Sequence, residues 1–206
     1  MFLNPFPIVY NFKYDFKFDQ FKDKVDAHLQ KSKEKIDKFD IHTPERDGAI
    51  SSVVIDDDQP HNWPEFEDFR NELNNHIPEV LNEWQIKRGT AKHISNSWIN
   101  VHNMGGWTAD HVHHASIIAI SCYLNVPPAS GRFMIKNPMH MYKLGEPVED
   151  DYHLEYESSG AQGDWTFVDV QTDDVLLFPG WLTHRTERCN SSLGRYILSM
   201  NLALAS

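Results

Sequence analysis

The sequence predicts an α+β chain, mainly β, in which N-terminal helices support a sandwich or barrel of short strands. Three observations carry that expectation. Helical periodicity is confined to the residues before Gly89. Six short β-type runs follow it, at about 92–102, 116–126, 131–136, 165–171, 174–179 and 195–204. Gly- and Pro-containing turn signals (NMGG, PPASG, NP, SSGAQGD, PG, SSLG) separate those runs, the pattern of a sandwich or barrel. The length of 206 residues suits a single domain, 1–206, with 1–90 as helical support and 91–206 as the strand core.

Taken in order, residues 16–37 place Phe18, Phe21, Val25, Leu29 and Ile36 at helical spacing with charges between them, an amphipathic helix. Residues 38–61 read as an irregular link with a short strand at 52–55. A second helix starts at Asn62-Trp63-Pro64, where proline is tolerated in the first turn. Phe66, Phe69, Leu73, Ile77, Leu81 and Trp84 continue one face, with Pro78 expected to break or kink it. Within the β half, 137–163 form the longest connection, polar but carrying Tyr142, Tyr152 and Tyr156; its length suits either a lid or a disordered segment. The last run alternates. Tyr196, Leu198, Met200, Leu202 and Leu204 make an apolar face for the helices; Arg195, Ile197, Ser199, Asn201 and Ala203 face the other way. By the same period of two, Trp98, Asn100 and His102 share a face.

Composition narrows the function. Hydrophobic residues make up 40% and charged residues 24%, and no apolar run approaches the length of a membrane span, so the expectation is a globular protein without a membrane partner. The aromatic N-terminus lacks the basic and unbroken apolar regions of a secretory signal, and Cys122 and Cys189 form no disulfide framework, so the expected location is the cytoplasm. A formal net charge of −11 disfavours a nucleic-acid partner and leaves a small molecule or peptide as the substrate class, with oligomerisation open.

The chemistry concentrates in DHVHHAS, 110–116. If this is the start of a strand, His111 and His113 share a face within reach of one ion, and His114 points away. A third ligand is available in His184, which follows the apolar run Val175–Phe178 and a turn at Pro179-Gly180. The competing reading is three hydrogen-bonded histidines near the surface. Three imidazoles suit zinc as well as iron, and spacing does not choose. Arg195 opens a strand whose other face is core; a buried guanidinium calls for a carboxylate or phosphate. An exogenous dicarboxylate meets that demand, and so does an internal ion pair with Asp169 or Asp173.

These pieces together, H-x-H at 111–113, SG at 130–131, LLFPGWLTH at 176–184 and RYILSMNL at 195–202, resemble the 2-oxoglutarate/Fe(II)-dependent oxygenase superfamily. More narrowly they are similar to a group of oxygenases from marine bacteria and phages, over about residues 95–204. The resemblance implies a double-stranded β-helix (jelly roll, cupin-like) with helices packed on one sheet. It implies iron held by His111, His113 and His184, and 2-oxoglutarate gripped at its distal carboxylate by Arg195. Asn100 and His102 match positions that contact the cosubstrate in the superfamily, and Asn201 and Tyr123 are further candidates; a core role serves Tyr123 equally well. The chain departs from the superfamily at two places: H-x-H replaces H-x-D/E, and Ile197 stands where a serine is usual. Exchanging a carboxylate for a neutral imidazole leaves the metal site one unit more positive. Trp107 and the 137–163 connection are candidates to cover the site. Three functions are therefore weighed: the oxygenase, a three-histidine cupin-like metalloenzyme that does not use 2-oxoglutarate, and a non-catalytic jelly-roll binding module.

Overall fold

The computed structural model describes residues 9–86, 91–136, 161–162 and 165–204. Most of the 137–163 connection, including Tyr142, Tyr152 and Tyr156, lies outside the described residues. The strands are β1 (Tyr10–Lys13), β2 (Glu45–Arg46), β3 (Ala49–Ser51), β4 (Ala91–His102), β5 (Trp107–Thr108) and β6 (Ser116–Asn125). They continue with β7 (Phe133–Lys136), β8 (Ala161–Gln162), β9 (Trp165–Val168), β10 (Asp174–Pro179), β11 (His184–Thr186) and β12 (Arg195–Leu204). The helices are α1 (Lys22–Phe39) and α2 (Glu67–Glu83). A six-stranded antiparallel sheet runs β1-β10-β6-β12-β4-β3, a four-stranded one runs β11-β7-β9-β8, and β2 pairs with β5.

Two apolar layers flank the large sheet. On one face, Ile99, Ile118, Ile120, Leu177, Leu198, Met200 and Leu202 pack against Phe21, Val25 and Leu29 of the first helical region and Phe66, Phe69 and Leu73 of the second. Both helices bury residues at helical spacing (Val25, His28, Leu29, Ser32; Phe69, Leu73, Val80, Leu81), which fixes the face each presents. Two polar ties orient α1: the Tyr196 hydroxyl donates to Asp26 at 2.8 Å, and Ser32 donates to the Ser51 carbonyl at 2.6 Å. On the other face, Ala119, Tyr123, Leu176, Phe178 and Ile197 meet Phe133 and Ile135 of the small sheet. The polar inner residues of β12 and β4 lie beside this second layer.

Four local expectations are corrected. The link strand is Ala49–Ser51, not 52–55, because Ile55 N–H closes a turn onto the Ser52 carbonyl at 3.0 Å and places Val53 and Val54 in it. Pro78 does not break α2; an exposed Pro78 sits inside a helix held on both sides by buried Leu73, Val80 and Leu81. The strand expected at 165–171 ends at Val168, before a turn in which Asp174 accepts from Gln171 N–H at 2.6 Å. The 1–90 region is not helical support alone, since β1 and β3 form the two edges of the large sheet. No helix among the described residues is long and apolar enough to cross a membrane.

Two stability outcomes follow from this packing. Phe66→Ala, at a fully buried site between the helices, lowers unfolding free energy by about 3–5 kcal/mol in urea titration. Pro78→Ala restores an N–H to a helix interior and raises stability by about 1–2 kcal/mol, the helical gain outweighing the looser unfolded chain. A drop on Pro78→Ala would contradict the helix as described.

Candidate metal centre

His111 and His184 are brought face to face by the backbone. Each residue's N–H donates to the other's carbonyl at 3.1 Å, an isolated antiparallel bridge between segments far apart in sequence. His113 is fixed next to them: its N–H donates to the Gly180 carbonyl at 2.8 Å, and Gly180 N–H donates to Ile117 at 3.1 Å. Gly180 is required there, because a Cβ at that position would lie 2.2 Å from the Ser116 carbonyl oxygen. The run expected at 116–126 is β6, Ser116–Asn125, and DHVHHAS lies ahead of it, so His111 and His113 are positioned by this bridge and turn and not by a strand's period of two.

The three rings converge. Their centroids are 4.1 Å (His111–His184), 5.0 Å (His113–His184) and 5.3 Å (His111–His113) apart, and one nitrogen from each lies within 4.8 Å of the others. Each Nδ1 is already committed to an acceptor: His111 to the Ala109 carbonyl at 2.8 Å, His184 to the Leu182 carbonyl at 2.8 Å, and His113 to Asn201 Oδ1 at 2.5 Å. Nδ1 therefore carries the hydrogen in all three, and Nε2 keeps its lone pair. Anchoring a ligand imidazole through its other nitrogen is what orients it toward a metal. Burial lowers all three pKa values, that of His113 to about 4, so the rings are neutral at pH 7, the state that ligates. Trp98 packs beside His113 at 5.4 Å, and Phe178 and Phe133 wall His184 at 4.7 and 5.5 Å. Among the described residues no carboxylate joins the cluster. Asp110 turns away and meets Arg185 at 3.6 Å, and His114 is exposed.

Arg195 is fully buried and opposite His102 in the β12–β4 register. Its Nη1 donates to the Gly131 carbonyl at 2.5 Å and its Nη2 to His102 Nδ1 at 2.7 Å. His102 Nε2 then donates to Thr108 Oγ1 at 2.8 Å; burial and the adjacent guanidinium hold His102 neutral. The ion pair with Asp169 or Asp173 does not form. Asp169 is exposed, and Asp173 accepts from Phe16 N–H at 3.1 Å. Arg195 Nε, Asn100 Oδ1 and Ser130 Oγ are buried without partners. Two candidates are engaged within the protein: His102 holds Arg195, and Asn201 holds His113. Tyr123 is buried in the inner apolar layer, where burial raises its pKa.

A cavity of about 620 Å³ opens beside His111 and His113, bounded also by Trp98, Asn201 and Glu45. Trp107 lines a separate cavity of about 890 Å³, with its Nε1 donating to Asp47 at 3.2 Å, so it does not cover the histidines. The sequence alone does not single out Glu45 and Thr108, which sit in two-residue strands with no periodic signal.

Residues 96–201, a little over half of the chain, match the family described as "Putative 2OG-Fe(II) oxygenase". No curated protein matches the chain in sequence. Among solved structures it is similar to a Pseudomonas putida prolyl-4-hydroxylase, at a TM-score of 0.53 and 11% identity, covering 95% of this chain and 92% of that one. It is also similar to HygX from Streptomyces hygroscopicus solved with nickel, 2-oxoglutarate and hygromycin B (TM-score 0.50, 13% identity, 93% and 81% covered). The iron-bound HygX structure gives 0.52 at 12% identity, with 94% and 81% covered. At such identities the likeness establishes the fold, the expected double-stranded β-helix.

Two measurements check the centre. Asn201→Ala frees the His113 ring and weakens zinc binding about 10–100-fold in competition with a chromophoric chelator. His28 and His102 are both held neutral by burial, below an unfolded value of about 6.5. The unfolded chain thus binds more protons, and stability, complete above that pH, declines as pH falls below it. Urea titration should show a loss on the order of 1 kcal/mol or more between pH 7.5 and 5.5.

Proposed function

The chain belongs to the 2OG-Fe(II) oxygenase family, and from that premise we propose that it is an Fe(II)- and 2-oxoglutarate-dependent oxygenase. It hydroxylates a small-molecule or peptide substrate and releases succinate and CO2. Its net charge of −11 disfavours a nucleic-acid substrate, and it acts in the cytoplasm. The narrower likeness to marine bacterial and phage sequences is part of the same reading. One observation carries it: three neutral imidazoles aim free Nε2 lone pairs at one point, on the same inner face as a buried arginine that makes no ion pair with a carboxylate among the described residues.

The residues fit both groups. His111, His113 and His184 would hold the iron, and their Nδ1 hydrogen bonds would keep the lone pairs aimed. The Nε of Arg195 and the spare hydrogens of its Nη atoms are free to take a carboxylate. The unmet Ser130 hydroxyl offers a further hydrogen to a carboxylate, and Asn100 keeps an unmet Oδ1, an acceptor. Bound there, iron and 2-oxoglutarate supply the activation of dioxygen. The chain's own part is orientation and exclusion of water: Phe133, Phe178 and Trp98 wall the centre, and His102 keeps the guanidinium in place by accepting its hydrogen. HygX, solved with iron and with nickel and 2-oxoglutarate, supports the same pair of groups.

A second reading is favoured by one feature, the lack of a carboxylate in the ligand set: a three-histidine metalloenzyme that does not use 2-oxoglutarate. The two part at Arg195. Under anaerobic conditions the Fe(II)-loaded protein should develop a visible charge-transfer band on titration with 2-oxoglutarate. Arg195→Ala should weaken that titration at least about tenfold, as expected for a lost charged hydrogen bond. Absence of the band, with unchanged metal content, would select the second reading.

A further inference from the structure

Glu45 is the group that the oxygenase reading leaves unexplained. It sits in β2, opposite Thr108 of β5, and is 9% exposed. The preceding residue, Pro44, accepts from Ala109 N–H at 2.9 Å, so the Glu45 segment is tied to the one leading into the histidines. Its side chain borders the same cavity as His111, His113 and Trp98. The Thr43 hydroxyl and the Glu45 N–H donate to the carboxyl, but among the described residues Oε2 is buried without a hydrogen-bond partner.

Among the described residues no group hydrogen-bonds that oxygen, and Arg46 acts on the carboxyl only at a distance. The nearest cation along the chain, Arg46, donates instead to the Thr43 and Glu45 carbonyls. Neither lysine nor arginine lines the cavity among the described residues, whereas Asp110 adds a second acid there, partly offset by Arg185 at 3.6 Å. Glu45 is no member of the metal-competent cluster, which comprises the three imidazoles. An unpaired buried carboxyl is costly and gains most from a cation delivered by a ligand. Trp98 lines the same cavity.

We infer that Glu45 anchors a cationic nitrogen group, an ammonium or guanidinium on a short alkyl stem, and that the substrate is therefore a basic molecule. This rests on the oxygenase reading in that the molecule bound beside the histidines is the one hydroxylated. A free amine and a lysine side chain present the same chemistry.

Saturation-transfer NMR on the metal-free full chain tests it with n-butylammonium, n-butyrate, n-butanol and an acetyl-Gly-Lys-Gly-amide peptide. Butylammonium should bind at least about tenfold more tightly than butyrate or butanol, and Glu45→Gln should abolish the preference. Asp110→Asn, at an exposed site, should reduce it less. Tighter binding of the tripeptide than of butylammonium assigns the cation to a peptide; weaker binding assigns it to a free amine. Should Glu45→Gln not fold by circular dichroism, the Glu45 carboxyl carbon resonance of the wild type decides. It should shift on adding butylammonium and not on adding butyrate. No charge preference, a preference that survives Glu45→Gln, or an unmoved resonance overturns the inference. So does a Glu45→Gln variant that loses zinc affinity while binding amines as before. Because these probes need neither iron nor 2-oxoglutarate, amine binding without a charge-transfer band would sink the oxygenase reading and leave the cation site standing.

Discussion

Two backbone hydrogen bonds between residues 111 and 184 are the constraint on which the rest of the centre depends. They join the segment before β6 to the start of β11, so that two imidazoles meet at 4.1 Å, one of them on a segment that is not itself a strand. Gly180 lets the turn before His184 press onto the 113–117 segment, which adds the third ring. Convergence alone would leave three mobile rings. Their Nδ1 hydrogen bonds to Ala109, Leu182 and Asn201 remove that freedom and select the tautomer. Two of those acceptors are backbone carbonyls; the third is a side chain on the central strand of the large sheet, and so the metal centre is keyed to the sheet's register.

The same register sets the polar interior. β12 lies between β6 and β4, and its alternate residues serve two layers: Leu198, Met200 and Leu202 bind the helices, while Arg195, Ser199 and Asn201 face inward. A slip of one residue would reverse both faces, burying apolar groups at the site and charge under the helices. Within that interior the guanidinium rests on a neutral imidazole and a carbonyl instead of a carboxylate. Glu187 compensates that charge only at a distance, without a hydrogen bond to the guanidinium, an arrangement that favours an anionic ligand.

Much of this was legible in the sequence. The alternation of RYILSMNLAL gave both faces of β12, and the grouping of Trp98, Asn100 and His102 on one face of β4 held. His184 was found as the partner of His111 and His113 by its place after an apolar run. His111 and His113 precede β6 and do not open it, so a strand's period of two is not what brings them together. Side-chain partners were beyond reach. That Asn201 would hold His113 and His102 would hold Arg195 depends on which residues face one another across strands, and periodicity assigns a face without naming a neighbour. That α2 runs unbroken through Pro78 depends on tertiary contacts, of which local propensity says nothing. Glu45 lies in a two-residue strand, too short to carry a pattern.

The central claim is that all three imidazoles hold hydrogen on Nδ1 and present Nε2 to one ion. Long-range ¹H–¹⁵N correlation spectra of the histidine rings, recorded before and after addition of Zn(II), measure both parts at once. The account predicts Nδ1–H tautomers for His111, His113 and His184 in the metal-free protein at pH 7, and movement of all three Nε2 resonances on one equivalent of metal. An Nε2–H tautomer at any of the three, or a ring left unmoved by the metal, would contradict it.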